Sequence, residues 1–436
     1  MSTPNRALFL LLPFCLSCKP AGMGDYHYAE RPVELRDQVY DRMAELEQLD
    51  VDDDGLLSST EYSGTQALFD ELDVDADGLL DEDEARFMMT FVDIPAGRVT
   101  LGTDDPIQAF GDPPLDQGPA HQVHLDAFQM AATEITEAQY AMYLNGALAD
   151  GEIAVSLGDI SDEYHTRITH PVPAYVVEGA AGTPYAGKPF VHLAPITGLT
   201  HNADEISGLL VPSHPLNRSW ILYSAEAESF SVYPGFEDWP AAFVKWWGAM
   251  AFAERYDLSL PTEAEWEVAA RGGQQLDYPT SDGANSCEHA NYACYNVMDV
   301  PGWDMADTPD EYLAFRYAVG SWEPNPYGVY DMAGNLWEWT LDWYREDFYQ
   351  YSVDQGVVSN PVNLDGEDPP LDGSATGGPG QEFSHDARVC RGGSYNYHEP
   401  LTRTAYRFPV YSFIANDHFG ARVVIRPEST VFNGTD

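Results

Sequence analysis

Basic residues are scarce in this chain. Its 436 residues include 21 lysines and arginines against 71 aspartates and glutamates, and the lysines are only Lys19, Lys188 and Lys245. The formal net charge of −50 repels nucleic acid and anionic membrane surfaces, which argues against both as partners. The same charge concentrates cations near the protein. Bound calcium, a salty medium, a basic partner and a plain solvated acidic surface are all compatible with it.

Long apolar runs are also lacking beyond the first residues. The start, MSTPNRALFLLLPFCLSC, combines Arg6 with an apolar stretch at 7–16 that is too short to span a bilayer. This pattern predicts an export signal. Because Leu16-Ser17 stands directly before Cys18, the signal resembles the lipobox of bacterial lipoproteins, in which Cys18 becomes the lipidated first residue. We expect a cell-envelope lipoprotein, periplasmic or at the cell surface, with plain secretion as the alternative.

Cysteines are few. Besides Cys15 and Cys18 in the predicted signal, the chain has only Cys287, Cys294 and Cys390. An exported protein meets an oxidising compartment, so Cys287 and Cys294 are expected to pair across EHANYA. Closing so small a loop stabilises the fold by about 2–3 kcal/mol in the chain-entropy model. Cys390 is then an odd thiol, which we predict to be buried and inert.

Two acidic segments near the front follow the EF-hand calcium-loop pattern. Residues 50–61 read DVDDDGLLSSTE and residues 73–84 read DVDADGLLDEDE, each with glycine at position 6 and glutamate at position 12. Calcium requires six to eight oxygen ligands, and this spacing supplies them. The predicted ligands are Asp50, Asp52, Asp54, Leu56, Ser58 and Glu61 in the first loop, and Asp73, Asp75, Asp77, Leu79, Asp81 and Glu84 in the second.

These loops are too close together for four separate helices. They start at residues 50 and 73, so YSGTQALFDEL must serve as the exit helix of one and the entry helix of the other. A helix over 33–49 is expected before the first loop, because apolar residues recur there at three- and four-residue spacing. We expect calcium to act as a structural clamp, with a sensor role as the alternative.

The remainder has the composition of one large domain. The predicted organisation is a signal at 1–18, a linker at 19–32, an all-α loop pair at 33–90, a large domain at 91–427 and a tail at 428–436. Residues 91–103 alternate like a strand, and His121 and His124 are expected in another strand rather than at a metal. Helices are predicted near Thr136 and from Thr262, where Glu265 completes a capping box. Residues 150–232 are expected to be mainly loops.

Four motifs in the large domain carry a family resemblance. LPTEAEWEVAARGG (260–273), NPYGVYDMAGNLWEW (325–339), RGGSY (391–395) and NDHFGARVVI (416–425) are similar, in order and spacing, to the hallmarks of the formylglycine-generating enzyme family, also called the sulfatase-modifying factor domain. The resemblance covers about 90–427. It implies an α+β fold of the C-type-lectin-like kind, with little regular secondary structure.

The resemblance also implies calcium inside the large domain. In DMAGNLWE, the positions of one calcium shell are those of Asp331, Gly334, Leu336 and Glu338, which offer two carboxylates and two backbone carbonyls. Asn291 and Tyr292 match the start of a second shell. Its other ligands are expected between residues 304 and 318.

Copper is not expected, although oxidising members of the family use it. Their chemistry depends on two cysteines, three and eight residues beyond the serine of the RGGS turn, which bind copper(I) as soft thiolates. Counted from Ser394, those positions are Tyr397 and Thr402, and no cysteine follows Cys390. A phenol and an aliphatic hydroxyl cannot replace a dithiolate. The iron-binding helical domain that other relatives carry is also missing, because the predicted EF-hands occupy that end.

The sequence is compatible with three hypotheses about function. In the first, the large domain is a non-catalytic, calcium-stabilised module, and Trp337, Ser394 and His398 line a remnant groove for a protein, peptide or glycan. In the second, it is an oxidoreductase acting on a protein or peptide through another centre, with Tyr397, His398 and Cys390 as candidates. In the third, the EF-hands form a calcium switch that acts on the large domain. We favour the first, and therefore expect no enzyme activity.

Overall fold

The computed structural model describes residues 40–52, 54–85, 87–107, 116–160, 172–193, 219–292, 316–368, 386–414, 417–427 and 429–434. Several predictions concern other parts of the chain and lie outside the described residues. They are the signal with Cys18, the linker, residues 33–39 of the helix predicted over 33–49, Cys294, and residues 304–315 of the predicted second calcium shell.

Short helices are spread along the described chain. They are α1 Arg42–Leu49, α2 Gln66–Leu72, α3 Glu82–Ala85, α4 Glu137–Ala149, α5 Trp246–Arg255, α6 Glu263–Ala270 and α7 Phe348–Gln355, with a 3-10 helix at Glu399–Thr402. Threonine begins several of them, because its hydroxyl accepts a hydrogen bond from a free backbone N–H of the first turn. Thr262 and Glu265 form the predicted capping box at α6, and Thr136 forms another with Gln139 at α4. Both predicted helix starts are confirmed.

The strands are also short. They are β1 Leu57–Ser58, β2 Leu79–Leu80, β3 Phe91–Ile94, β4 Gly97–Leu101, β5 His121–Leu125, β6 Phe128–Ala131, β7 Ile153–Ile160, β8 Val172–Gly179, β9 Pro189–Leu193, β10 Ile221–Ser224, β11 Ser229–Val232, β12 Trp337–Trp343, β13 Val358–Ser359, β14 Pro361–Val362, β15 Arg388–Arg391, β16 Phe408–Val410, β17 Phe419–Gly420, β18 Val424–Ile425 and β19 Asn433–Gly434. The predicted strand at 91–103 is divided into β3 and β4. His121 and His124 lie in β5, as predicted.

The described strands form several small sheets. A four-stranded sheet has the order β16-β15-β12-β17, and three-stranded sheets have the orders β13-β5-β4, β18-β6-β3 and β7-β8-β9. In the four-stranded sheet, Trp339 of β12 lies opposite Cys390 of β15, which in turn pairs with Phe408 of β16. The mixture of short helices and small sheets agrees with the predicted α+β class.

The prediction of loops over 150–232 was wrong in part. β7 and β8 pair in antiparallel fashion from Ile153–Gly179 to Ile160–Val172, and β9, β10 and β11 follow within the same stretch. Ile153, Val155 and Leu157 alternate with smaller or polar residues, as in a strand, although Leu157 is 67% exposed in the fold. Pairing with β8 stabilises this strand, and that contact is not visible in its own sequence.

One hydrophobic core joins the front loops to the large domain. Leu57 and Leu68 from the loop region are fully buried in the same cluster as Tyr140 of α4 and Phe252 of α5. The packing therefore continues across the predicted boundary at residue 90. Among the described residues, none of the helices combines the length and the apolar character that crossing a bilayer requires.

A buried ion network supports the turn that follows β15. Arg391 donates to Glu263 at 3.1 Å and to Glu267 at 2.7 Å, Arg407 binds Glu263 at 2.7 Å, and Arg271 binds Glu267 at 2.7 Å. All five side chains are buried. Because a buried charge is tolerated when it is paired, these contacts fix α6 against the start of the RGGSY motif.

Candidate functional site

The first acidic loop brings carboxylates together. Oxygen atoms of Asp50, Asp52 and Glu61 lie within 4.8 Å of one another. The Asp50 carboxylate accepts hydrogen bonds from the backbone of Asp54 at 3.2 Å and of Gly55 at 2.7 Å, which holds the loop closed around it. The neighbouring charge of Asp54, more than any other cause, raises the pKa of Asp52. Such self-repulsion is what a bound cation relieves.

The second loop repeats this geometry. Oxygen atoms of Asp73, Asp75 and Glu84 lie within 4.8 Å of one another, and Gly78 donates to Asp73 at 2.9 Å. β1 and β2 join the two loops, with Leu57 opposite Leu80, so the all-α prediction for 33–90 is wrong in part. In the part of the chain that the structure describes, only these two places gather three or more acidic, histidine or cysteine side chains at such distances. Calcium binding by the twelve predicted ligands stays a prediction.

The loop pair is fixed to the large domain by polar contacts as well as by the shared core. Arg255 at the end of α5 pairs with Glu71 of α2 at 3.4 Å, and also with Asp150 and Glu152 at 2.9 Å each. The Gln139 side chain of α4 donates to the carbonyl of Met88 at 3.1 Å. The front region therefore packs as part of the large domain's surface.

The predicted calcium positions of the large domain lie around one tight turn. Asp331, Gly334 and Asn335 all have positive φ, at 57°, 84° and 57°. Asn335 donates its backbone N–H to the carbonyl of Asn291 at 2.8 Å, so the structure brings the two predicted shells into contact. A Cβ at Gly334 would lie 1.9 Å from that carbonyl oxygen, which explains why glycine stands there.

Glu338 has partners that the sequence did not reveal. Its carboxylate accepts from Nε and Nη2 of Arg422, both at 2.7 Å, and from Trp266 Nε1 at 2.7 Å. The structure thus gives Glu338 a buried ion pair with Arg422. Its place in a calcium shell, with those of Asp331 and the carbonyls of Gly334 and Leu336, stays a prediction.

Sequence reasoning missed Glu134, which lies beside the same turn. Glu134 is fully buried and accepts from the Asn335 side chain at 2.9 Å and from the backbone of Leu336 at 3.2 Å. Burial, reinforced by the charges of Asp331 and Glu338, raises the pKa of Glu134 well above its usual range. The sequence feature that could have pointed to Glu134 is its position two residues before Thr136, which caps α4.

The segment that begins at Cys390 forms a packed turn. Cys390 is a free, fully buried thiol, and burial raises its pKa well above the usual value. The predicted burial is confirmed, and a protonated, inaccessible thiol is a poor nucleophile. Gly392 and Gly393 follow with φ of 95° and 78° and lead to Ser394, whose side chain is fully buried.

Tyr397 packs against Trp337. The two rings meet edge to face with centroids 5.4 Å apart, and Phe408 stacks on Trp337 at 4.6 Å. Trp337 is fully buried beneath them, whereas Tyr397 is half-buried. In the described part of the chain, Trp337 Nε1 and Ser394 Oγ are buried without a hydrogen-bond partner. We call the cluster formed by Trp337, Ser394, Tyr397 and Phe408 the Trp337 corner.

Thr402 and His398 lie at opposite ends of the 3-10 helix. The Thr402 hydroxyl accepts from the Asn285 side chain at 2.7 Å and donates to the carbonyl of Glu399 at 2.9 Å. Thr402 is fully buried, and its hydroxyl is engaged in holding the corner together. His398 is half-buried, and its carbonyl accepts from Leu401 at 3.0 Å.

His418 is the histidine whose ring contacts Tyr397. Their centroids are 5.6 Å apart, and His418 Nε2 lies 3.4 Å from Asp417, which also accepts from the Tyr395 hydroxyl at 2.7 Å. The motif NDHFGARVVI contains both Asp417 and His418, but the sequence analysis assigns no role to either residue. β17 follows them and pairs in parallel with β12, which places His418 beside Trp337.

Cys287 is disulfide-bonded in the structure. This agrees with the prediction that Cys287 takes part in a disulfide bond. The pairing with Cys294 stays a prediction, since that residue lies outside the described part of the chain.

A family model for the Sulfatase-modifying factor enzyme 1-like domain matches residues 77–427. The chain belongs to this family. The match begins inside the second acidic loop and includes every motif on which the resemblance rested.

Curated relatives agree with the family. The formylglycine-generating enzyme of Bos taurus is 28% identical over 311 residues, which are 71% of this chain and 66% of that protein. The Thermomonospora curvata enzyme is 28% identical over 313 residues, which are 71% of this chain and 83% of that protein. Serine/threonine-protein kinase pkn1 of Chlamydia pneumoniae is 41% identical over 125 residues, which are 28% of this chain and 17% of the kinase. The chain thus spans less than two thirds of the kinase and of the bovine enzyme.

Solved structures resemble this sulfatase-modifying factor domain more loosely. PvdO from Pseudomonas aeruginosa is 21% identical, covers 78% of this chain with 98% of its own length, and gives a TM-score of 0.42. Treponema denticola variable protein 1 is 18% identical, covers 78% of this chain with 95% of its own, and gives a TM-score of 0.40.

Proposed function

We propose that this chain is an exported calcium-binding protein whose sulfatase-modifying factor domain is a non-catalytic binding or scaffold module at the cell envelope. The observation that carries the proposal is the Trp337 corner. Tyr397 and Thr402 stand at the two positions where oxidising relatives keep cysteines, and Tyr397 covers Trp337 instead of leaving space for a reactive group.

Copper does not fit this corner. A copper(I) centre of the family kind needs two thiolates, and the two positions carry a phenol and a hydroxyl. The Thr402 hydroxyl is already bonded to Asn285 and to the carbonyl of Glu399. Burial raises the pKa of Tyr397 to about 12, so its phenol stays protonated near neutral pH and is a poor anionic ligand. Cys390 is a strand residue packed between β12 and β16.

Calcium fits the front loops. Each loop gathers three carboxylates whose oxygens lie within 4.8 Å of one another, and carboxylate oxygens are the ligands that calcium prefers. The second support is the excess of acidic groups around Arg422. Its guanidinium is bound by Glu338, and the charges of Glu134 and Asp331 also act on it, so three carboxylates share one buried cation there. A further cation near Asp331 would balance this excess.

The unpartnered Trp337 Nε1 and Ser394 Oγ support a binding role for the corner. A buried polar group without a hydrogen bond costs about 1–3 kcal/mol. Because both atoms are fully buried, a ligand that accepts hydrogen bonds would recover this energy only when the Tyr397 ring that covers Trp337 is displaced. A protein, peptide or glycan presents such acceptors. We place the protein at the envelope because of the lipobox-like start, with Cys18 as the lipid anchor and secretion as the alternative.

Metal analysis of the purified full chain tests this proposal. Calcium should be present in stoichiometric amount, and copper and iron should be absent after incubation with either metal and desalting. Stoichiometric copper or iron would instead favour an oxidoreductase with a different centre. A matched gain-of-site variant, Tyr397→Cys with Thr402→Cys, tests the corner itself. It should acquire copper(I) while the native chain does not, whereas equal copper binding by both would contradict the proposal.

A further inference from the structure

The front loop pair is linked to the Asp331 turn through Tyr40. The backbone N–H of Tyr40 donates to the carbonyl of Gly320 at 3.0 Å, and its hydroxyl bonds with Thr90 at 2.8 Å. Its ring meets that of Tyr330 at 5.2 Å. A Cβ at Gly320 would lie 2.1 Å from Cβ of Tyr40, so only glycine allows this close approach. Tyr40 is 5% exposed, which makes it a buried anchor.

Gly320 carries the link into the large domain. Its N–H donates to the Asp331 carboxylate, and Asp331 opens the turn whose Asn335 binds Glu134. Trp337, at the centre of the Trp337 corner, lies two residues beyond Asn335. A second anchor runs in parallel, since Arg42 binds the Asp238 carboxylate at 2.6 Å while Val319 donates to the Asp238 carbonyl at 2.9 Å.

On its other side, the anchor is joined to the first acidic loop by one short helix. α1 begins at Arg42, two residues after Tyr40, and ends at Leu49, directly before Asp50. The N–H of Asp50 still donates to Leu46 at 2.9 Å, so the helix continues into the first loop position. A change in how the loop holds α1 is therefore passed to Gly320 without an intervening flexible segment.

We propose that Tyr40 couples calcium binding in the first loop to the order of the Asp331 turn and of the Trp337 corner. The coupling rests on the proposed calcium binding of the loops. Loss of calcium allows the loop carboxylates to repel one another, which releases the end of α1 and weakens the Tyr40–Gly320 contact. The Asp331 turn then opens more often, and the Trp337 corner becomes less ordered. Coupling of this kind is a free energy shared by two sites.

Amide hydrogen exchange of the full chain in calcium measures this link directly. Glu61→Gln removes one loop ligand. Exchange in residues 316–322 and 329–339 should then become roughly threefold faster or more, because local opening is easier. α6, held by the buried ion network, should be unchanged. Tyr40→Ala should raise exchange in the same segments by itself, and adding Glu61→Gln to it should raise exchange there no further.

Tyr40→Phe is the matched control, because it keeps the ring and the backbone contact and removes only the hydroxyl. It should respond to Glu61→Gln as the native chain does. If Glu61→Gln speeds exchange in residues 50–61 alone, the loop binds calcium and the coupling is refuted. If residues 50–61 do not differ between calcium and chelator in the native chain, the calcium loops of the proposed function fail, and the coupling fails with them.

Discussion

At the scale of single residues, the Trp337 corner is held together by ring packing and by the hydrogen bonds of Thr402. Tyr397 contributes a large ring that covers Trp337 and touches His418. The glycine turn and Ser394 are still in place, and Thr402 fixes the far end through Asn285. Tyr397 and Thr402, the two positions at which the family resemblance predicts cysteines in oxidising relatives, therefore both contribute to the packing of the corner.

Shortening Tyr397 should uncover Trp337. Tyr397→Ala removes a half-buried ring, and we expect it to lower the free energy of unfolding by about 1–3 kcal/mol. The indole should then become accessible, which acrylamide quenching of tryptophan fluorescence detects. Because ten tryptophans contribute to the signal, the gain in quenching must be shown to disappear in a Trp337→Phe background.

Tyr397→Phe is the control for that experiment. In the described part of the chain the Tyr397 hydroxyl has no hydrogen bond, so its loss should change stability by less than about 0.5 kcal/mol. A large loss of stability from this variant would mean that the hydroxyl, rather than the ring, holds the corner.

At the scale of elements, the acidic loops and the helices around them follow local rules. Ligand spacing, the glycine at position 6 and the glutamate at position 12 all lie within twelve residues, so the sequence displays them directly. α2 is shorter than the predicted YSGTQALFDEL segment because Thr65 caps it, accepting from Leu68 at 3.3 Å. The docking of α2 on Arg255 and Tyr256 could not be predicted, since those partners are almost two hundred residues away.

Removing the twelfth ligand of both loops should destabilise the whole protein if calcium acts as a clamp. A ligand at about 100 times its dissociation constant stabilises by about 2.7 kcal/mol, and Glu61→Gln with Glu84→Gln should remove an effect of that order. The loop pair shares its core with the large domain, so the loss should appear as a lower Tm of one transition in calcium.

Glu47→Gln, on the exposed side of α1, makes the same chemical change outside the loops and should leave the Tm in calcium unaltered. In excess chelator the loop variant should lose its disadvantage relative to the native chain. An unchanged Tm together with altered ligand binding would contradict the clamp and favour the switch.

At the scale of the whole molecule, buried acidic groups set the response to pH. Burial raises the pKa of Asp116 to about 6, and those of Glu137 and Asp342 to about 7. In the unfolded chain such groups ionise near pH 4, so between about pH 4 and 7 the folded state binds more protons. The free energy of unfolding therefore falls as the pH rises through this window.

We expect a Tm several degrees lower at pH 7.5 than at pH 5 in calcium-free buffer, measured by differential scanning calorimetry. Burial alone would raise the pKa of Glu267, but the neighbouring arginines and Tyr349 lower it to about 2. The stability that ionised Glu267 contributes is therefore lost only at more acid pH. Asp116→Asn keeps an acceptor for the Tyr344 hydroxyl and should make the Tm vary less between pH 5 and pH 7.5.

Asp354→Asn, at an exposed position of α7, should leave the pH dependence as it was. A Tm that rises between pH 5 and pH 7.5 would show that the ionised forms of the buried acids are the stabilising ones.

The sequence by itself determined the features that depend on neighbours along the chain. These are the two acidic loops, the capping boxes at Thr136 and Thr262, and the motif spacing that identified the family. Each is specified within about fifteen residues, so one stretch of sequence carries the whole signal. The absence of cysteines at positions 397 and 402 was equally plain.

Only the tertiary structure decided which side chains meet. In the folded chain Glu338 forms an ion pair with Arg422, and Glu134 accepts a hydrogen bond from Asn335. His418 contacts Tyr397, and Tyr40 donates to Gly320. The fold also paired β7 with β8. The partners in each case are far apart in the chain, and their contact depends on burial and pairing of the intact fold, which no local pattern encodes.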